Sequence, residues 1–317
     1  MALQSIKHYL KTIQTYSIKE LSFRFFETLK IKFNNPQKIS SITKVEGAGS
    51  SNDISIVLIV KNEARYIREW LEYHFLIGID HVYIYDNGST DDIRTLLTPY
   101  IKKGFVTYIL CPGKRMQIPA YNDAIARFGK KNRWMGFVDA DEFIVLHDKS
   151  DIHSFFKDFD KESALGINWI MYDSNGHQTI PSNGFVLSNF NRIYKDDNTE
   201  VNHNFKSFVK PNFVKLCTNP HFVWLKKGVT VNENKVPLTT PIAQFNSTSK
   251  IQINHYFSKS KEEYVTKINR GCADSHPTRP YAESDFDFTQ SGTKYSQIDF
   301  SDILKRISQS IPDTYGE

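Results

Sequence analysis

The chain has 317 residues, 40% of them hydrophobic and 24% charged, so it can bury a full core and is too apolar for wholesale disorder. Its net charge of +5 is uneven, because residues 1–45 hold eight Lys and Arg against two Glu and leave a net charge of −1 elsewhere. This distribution argues against a nucleic-acid partner, since such a partner requires basic residues clustered on a folded face.

Cysteine usage and hydropathy indicate a cytoplasmic protein. Cys111, Cys217 and Cys272 are far apart and form no CxxC motif, so neither a disulfide framework nor a zinc site is expected. The sequence contains no run of about 20 apolar residues, so no transmembrane helix is expected. The amino terminus also lacks the apolar segment of a signal peptide.

Residues 1–50 are predicted to be a basic helical extension that ends in a flexible linker. Leu21, Phe25 and Leu29 recur at helical spacing, and lysines lie between them. Such a helix can pack on the body through its apolar face, which we favour. It can also lie on an anionic membrane surface, so peripheral association with the inner face of the cytoplasmic membrane stays open.

Strands and helices alternate between residues 54 and 138. The predicted strands are Ile54–Val60, His81–Tyr85, Phe105–Leu110 and Trp134–Val138, and the predicted helices are Ala64–Ile77, Asp91–Lys103 and Ala120–Phe128. This alternation predicts an α/β fold with a mostly parallel central sheet flanked by helices. Ligands of such sheets lie beyond the carboxyl ends of the strands.

The pattern is less regular after residue 144. The segments 151–159 and 261–268 are predicted helices, and the predicted strands are Ala164–Tyr172, Val186–Tyr194, Lys206–Val209 and Ile251–Tyr256. We place the main domain at residues 51–285. Residues 286–317 are weakly patterned and are expected to form a peripheral tail.

Polar residues follow three of the predicted strands. These residues are Lys61-Asn62-Glu63, Asp86 to Asp92, and Asp139-Ala140-Asp141-Glu142. Asp139 and Asp141 end an otherwise apolar strand, so their carboxylates can converge on one Mg²⁺ or Mn²⁺. Such a metal would offset the charge of a diphosphate leaving group. The alternative is that the aspartates only form a turn.

Several motifs in this order and spacing resemble glycosyltransferase family 92, which is related to the GT-A enzymes of family 2. The segments are Ile59–Ala64, Glu69–His74, Ile84–Asp92, Phe137–Phe143, Asn175–His177, Lys206-Ser207, Pro220-His221, Asn254–Tyr256 and Lys259-Ser260. The resemblance covers residues 54–275. It implies a GT-A fold, a divalent cation (usually Mn²⁺), a UDP-sugar donor that is often UDP-galactose, and inversion at the anomeric carbon.

The resemblance also implies roles for individual residues. It makes Asp139 and Asp141 the metal and diphosphate residues and makes His255 a third metal ligand. It implies that Lys61, Asn62, Glu63 and Asp86 contact the nucleoside and that Lys206 and Lys259 contact the diphosphate. Arg115 and Gln117 lie on the loop after the third predicted strand, and we expect them to line the donor site.

Inversion requires a base that takes the proton of the acceptor hydroxyl. The Glu-Asp pair that supplies this base in many related enzymes is absent after residue 142. We select Asp173, which follows a predicted strand, and leave His177 and Asp274 as alternatives. Glu142 is placed in the catalytic site as a residue that supports the two aspartates.

The sequence therefore predicts a metal-dependent, inverting hexosyltransferase that acts on a glycan, such as a bacterial surface polysaccharide or lipopolysaccharide. Two alternatives stay open: another nucleotide-dependent metal enzyme on the same sheet, or a non-catalytic sugar-binding protein. Neither a Gly-x-x-x-x-Gly-Lys nor a Gly-x-Gly-x-x-Gly motif occurs, which argues against a P-loop enzyme or a Rossmann dehydrogenase.

Overall fold

The computed structural model describes residues 39, 42, 44–47, 51–149, 151–182, 184–194, 200–270, 283–288, 292 and 294–311. The predicted amino-terminal helices, Cys272 and Asp274 lie outside these ranges. Within them, none of the helices is long and apolar enough to span a membrane.

The strands are β1 (Lys44–Glu46), β2 (Asn52–Val60), β3 (His81–Asp86), β4 (Val106–Leu110), β5 (Asn132–Phe137), β6 (Glu142–Leu146), β7 (Ala164–Met171), β8 (Arg192–Ile193), β9 (Phe205–Val209), β10 (Val214–Cys217), β11 (Val223–Leu225), β12 (Thr230–Val231), β13 (Pro237–Leu238), β14 (Ile251–His255) and β15 (Lys294–Tyr295). The helices are α1 (Ala64–Leu76), α2 (Ile93–Lys102), α3 (Gln117–Phe128), α4 (Ile152–Phe156), α5 (Val186–Asn189), α6 (Lys261–Arg270), α7 (Asp285–Phe288) and α8 (Ser301–Ser310).

Most of the strands form one mixed sheet in the order β1-β4-β3-β2-β5-β9-β7-β12-β13. Strands β4, β3, β2 and β5 are parallel, whereas β9 runs antiparallel to both β5 and β7. The last part of β7 pairs in parallel with β14, and β14 pairs antiparallel with β6. The predicted α/β class with a mostly parallel centre is therefore confirmed.

Both faces of the sheet are buried because alternate residues of each strand point to opposite sides. Ile56 and Leu58 of β2 belong to the core that α1 covers, through Ile67 and Trp70. Val57 belongs to a second core on the other face, which α3 covers. This arrangement explains why the strands read as continuous apolar runs.

The predicted elements up to residue 138 are all present, with ends that differ by a few residues. The strand predicted at Val186–Tyr194 is wrong, because this segment contains α5 followed by the two-residue β8. The carboxylate of Glu69 accepts hydrogen bonds from the backbone N–H groups of Val186 and Leu187, at 2.8 and 3.2 Å. This distant carboxylate satisfies the first N–H groups of α5 and stabilises it as a helix.

Among the elements that were not predicted, β6 and α8 bear most on the site and the core. The strand β6 follows the acidic motif directly and pairs with β14. The helix α8 packs on the α1 side of the sheet, where Ile307 and Ile311 are buried in the main core. Part of the segment that was expected to be a peripheral tail therefore contributes to the core.

Candidate active site

One edge of the sheet collects the polar motifs. The strands β2, β3, β5, β7 and β14 end at this edge, and β6 and β9 begin there because they run in the opposite direction. The topology therefore brings the acidic motif after β5 together with Lys206 at the start of β9 and His255 at the end of β14.

Asp139 is held by a buried lysine. Lys206 Nζ lies 2.6 Å from Asp139 Oδ2 and 3.6 Å from Glu142 Oε1, and the Lys206 side chain is only 1% exposed. Gln117 Nε2 also donates to Asp139 Oδ1, at 3.3 Å. Burial alone would lower the pKa of Lys206, but the neighbouring carboxylates outweigh it and raise that pKa, so the ammonium stays charged.

Asp141 faces a second lysine and a histidine. Lys267 Nζ of α6 forms an ion pair with Asp141 Oδ2. His255 Nε2 lies 3.6 Å from the same oxygen. Burial of Asp141 acts to raise its pKa, but Lys267 and His255 outweigh burial and hold the pKa well below its usual value. The carboxylate of Asp141 is therefore ionised, as a metal ligand must be.

Glu142 lies beneath the two aspartates and is fully buried. Its Oε2 accepts a hydrogen bond from the backbone N–H of Asp139 at 2.9 Å, which supports the predicted positioning role. Its Oε1 has no hydrogen-bond partner in the described part of the chain. Burial raises the pKa of Glu142 to about 8, although Lys206 opposes this shift.

The donor chemistry of Asp141 and His255 fits a divalent cation. Two ligands about 2.1 Å from one ion lie roughly 3–4 Å apart, and the Asp141–His255 separation of 3.6 Å falls in this range. His255 Nδ1 is buried and has no hydrogen-bond partner among the described residues. The described residues hold no group of three acidic, His or Cys side chains arranged for one metal. Asp139 is paired with Lys206 instead. The predicted three-ligand set is therefore not assembled.

The loop after β2 reaches the loop after β3. The side-chain oxygen of Asn62 accepts a hydrogen bond from the backbone N–H of Thr90 at 2.7 Å, and Glu63 forms an ion pair with Arg270 of α6 at 2.8 Å. Lys61 is exposed. These residues lie where the prediction placed the nucleoside, and their contact with a nucleoside stays a prediction.

Asp86 is buried, and both of its carboxylate oxygens already accept hydrogen bonds. The donors are the backbone N–H of Ser89 at 2.7 Å and the Tyr108 hydroxyl at 2.6 Å. A role with the nucleoside must therefore use the remaining lone pairs of these oxygens.

Three predicted donor-site residues adopt the left-handed backbone conformation that favours glycine. The φ angles are +55° at Asn62, +58° at Arg115 and +47° at Lys259. Strained residues of this kind gather at ligand sites, which supports a binding role for these loops. Arg115 is exposed, whereas Lys259 is buried above the ring of Tyr66.

The geometry disfavours Asp173 as the catalytic base. Its side chain is fully buried, and Arg192 Nε lies 2.8 Å from both carboxylate oxygens. The backbone N–H groups of Asn175 and Gly292 donate to the same carboxylate. A carboxylate that is enclosed and paired in this way organises the surrounding loops and cannot readily reach an acceptor hydroxyl. The alternative His177 packs its ring against Phe190.

Three residues at this edge were not predicted from the sequence as site residues. Lys267 and Arg270 lie on α6, whose helical spacing gives no sign that they reach across to Asp141 and Glu63. The third, Trp169, packs against both His221 and His255, with ring centres 5.2 and 4.5 Å away. His221 was part of a quoted motif but received no role.

The model of glycosyltransferase family 92 matches residues 54–270, which include every element of this edge. The chain belongs to glycosyltransferase family 92. The resemblance seen in the motifs is thereby confirmed, and the mixed sheet agrees with the GT-A fold that it implied.

Two plant relatives show the extent of the similarity. A family 92 protein of Ricinus communis is 30% identical over 254 residues, which are 73% of this chain and 41% of the relative. Galactan beta-1,4-galactosyltransferase GALS2 of Arabidopsis thaliana is 26% identical over 234 residues, or 68% of this chain and 42% of the relative. This chain thus spans less than half the length of either relative.

Among solved structures, S. aureus TarS 1-349 in complex with UDP-GlcNAc aligns with a TM-score of 0.40 and 15% identity. The alignment covers 84% of this chain and 68% of that chain. A similarity at this level carries no conclusion about the ligand of this chain.

Proposed function

We propose that this chain transfers a hexose, with galactose as the first candidate, from a UDP-sugar to a hydroxyl of a glycan, with inversion. The observation that carries the proposal is the cluster of Asp139, Asp141, Lys206, Lys267 and His255 at the ligand-binding edge of a family 92 chain. Galactose is supported by the name of the relative GALS2, a galactan beta-1,4-galactosyltransferase.

Asp141 and His255 would hold the divalent cation, with Mn²⁺ as the first candidate. A cation bound there would offset the negative charge that develops on the diphosphate as the sugar bond breaks. Lys206 is engaged by two carboxylates, so its role is to position Asp139 rather than to bind phosphate. Lys259, which lies above the Tyr66 ring, is the remaining lysine proposed for the diphosphate.

The acceptor and the cellular location stay proposals. The relatives described above are plant proteins and give no support to a bacterial surface polysaccharide or lipopolysaccharide as the acceptor. A cytoplasmic location at a membrane surface rests on the basic residues 1–45, which lie mostly outside the described ranges. Unchanged binding to anionic vesicles after deletion of residues 1–45 would contradict the membrane proposal.

Calorimetric titration of UDP, with and without Mn²⁺, tests the donor site. We expect UDP binding that depends on Mn²⁺ and is lost in Asp141→Ala. The exposed Asp148, which follows β6 at the opposite edge of the sheet, supplies the control variant Asp148→Ala, and this variant should bind UDP like the wild type.

The other outcomes separate the parts of the proposal. Tight UDP binding without Mn²⁺ would contradict the metal and leave the donor site in place. No UDP binding under either condition would contradict the proposed function and favour another nucleotide or a non-catalytic role. Release of UDP from a panel of UDP-sugars would then identify the sugar.

A further inference from the structure

His221 is fixed at the edge of the sheet by the start of β9. It lies in the loop between β10 and β11, and its Nδ1 lies 3.0 Å from the backbone oxygen of Phe205. The Ser207 hydroxyl donates to the backbone oxygen of His221 at 2.7 Å. The two anchoring residues flank Lys206, the lysine that holds Asp139.

These contacts determine which nitrogen of His221 carries the proton. A backbone carbonyl can only accept a hydrogen bond, so Nδ1 must be the donor and Nε2 must carry the lone pair. Within the described part of the chain, no group forms a hydrogen bond with Nε2. The Nε2 atom is also not fully buried, because it is absent from the fully buried polar atoms that lack a partner. Nε2 is therefore open to a ligand.

Trp169 links the ring of His221 to the acidic cluster. It packs edge-on against Trp169 at 5.2 Å between ring centres, and Trp169 packs against His255. Lys206, Asp139 and His255 all act electrostatically on His221. The imidazole of His221 is thus one aromatic ring away from His255 of the proposed donor site. Asp173, in contrast, is enclosed by Arg192.

We propose that His221 is the general base of the transfer, an inference that rests on the proposed function. Nε2 accepts the proton of the acceptor hydroxyl while the hydroxyl oxygen forms a bond to the anomeric carbon. The bond from this carbon to the diphosphate oxygen breaks at the same time, and its electron pair leaves with the diphosphate. Trp169, which packs against the ring of His221, positions the imidazole.

Burial keeps the ring of His221 neutral. Burial is the main cause that lowers the pKa of His221 to about 3, and Lys206 and His255 act in the same direction. Asp139 and the hydrogen bond to Phe205 oppose this shift. The neutral ring therefore keeps the Nε2 lone pair that a general base needs.

The test compares His221→Ala with the wild type by two measurements: the affinity for UDP in the presence of Mn²⁺, and the release of UDP from UDP-galactose with a galacto-oligosaccharide as acceptor. We expect the UDP affinity to stay within about twofold, and the turnover to fall roughly 100- to 10,000-fold. Free imidazole should restore part of the turnover of this variant, since it can occupy the space left by the ring.

The exposed His147 provides a matched control. It follows β6 at the opposite edge of the sheet, so His147→Ala should keep both the affinity and the turnover. A second variant, His221→Gln, keeps a polar side chain at the position and should lose turnover without rescue by imidazole.

Three results would overturn the assignment of His221. These are near-normal turnover of His221→Ala, a loss of UDP affinity as large as the loss of turnover, and a loss of turnover that imidazole does not restore. In each case wild-type binding of UDP still supports the proposed function. A wild type that neither binds UDP nor releases it from UDP-galactose would instead overturn the proposed function, and the base assignment with it.

Discussion

Lys206 is the residue that allows the acidic cluster to form. Glu142 is fully buried and Asp139 lies beside it, so ionisation of both carboxyl groups is unfavourable without a cation between them. The ammonium of Lys206 contacts both carboxyl groups. The sequence pattern shows only a lysine at the start of a strand, and the pairing of β9 with β5 brings this lysine to Asp139.

Replacing Lys206 by Met should destabilise the protein by about 3–5 kcal/mol, because it leaves buried carboxylate charge without a partner. Urea unfolding measures this change in the free energy of unfolding. The exposed Lys215 of β10 gives the control Lys215→Met, which should unfold like the wild type. Adding Glu142→Gln to the Lys206 variant should recover part of the loss, and no recovery would contradict this account.

Lys267 competes with a metal for Asp141. Its ammonium is paired with the oxygen that also faces His255, so a cation that binds there must displace it. Lys267→Met should therefore bind Mn²⁺ several-fold more tightly than the wild type in the absence of nucleotide. Electron paramagnetic resonance of free Mn²⁺ measures this affinity, and an unchanged or weaker affinity would show that Lys267 only anchors α6.

At the scale of elements, α6 connects separate parts of the proposed site. Its first N–H groups, those of Lys261 and Glu262, donate to the backbone oxygens of His177 and Gln178. Further along the helix Lys267 pairs with Asp141 and Arg270 pairs with Glu63. The loop after β7, the acidic motif and the loop after β2 are thus fixed relative to one helix.

The helix α8 is expected to be needed for stability. Ile307 is fully buried in the core that α1 also lines, so Ile307→Ala should lower the free energy of unfolding by about 2–5 kcal/mol. Gln309 is exposed on the same helix, and Gln309→Ala is the matched control. Equal urea midpoints for the two variants would show that α8 contributes little to the core.

At the scale of the whole molecule, buried ionisable groups set the pH dependence of stability. Burial lowers the pKa of His74 to about 3 and that of His81 to about 4, so their contributions to stability are lost as the pH falls below about 6.5. Burial raises the pKa of Glu69 to about 7, so its contribution is lost as the pH rises from about 4.5 through 7.

Comparing Glu69→Gln with the wild type tests this balance. The amide cannot ionise, so the variant should gain stability relative to the wild type between about pH 5 and about pH 8. Urea unfolding of the variant and the wild type at each of these pH values gives the difference between their free energies of unfolding. A difference that stays constant over this range would contradict the shifted pKa of Glu69.

The sequence by itself determined the α/β alternation up to residue 138 and the place of Asp139 and Asp141 at the edge of the sheet where its parallel strands end. These features follow from local periodicity, because strands that are buried on both faces and helices with one apolar face each leave a regular pattern. The family resemblance also followed from the order of short motifs.

Only the tertiary structure decided which side chains meet. The ion pairs of Lys206 with Asp139 and of Lys267 with Asp141 join residues 67 and 126 positions apart. The helix α5 forms where an apolar run predicted a strand, since the carboxylate of Glu69 caps it from 117 positions away. Contacts over such distances leave no periodic signal in the sequence, because they depend on which strands the fold places side by side.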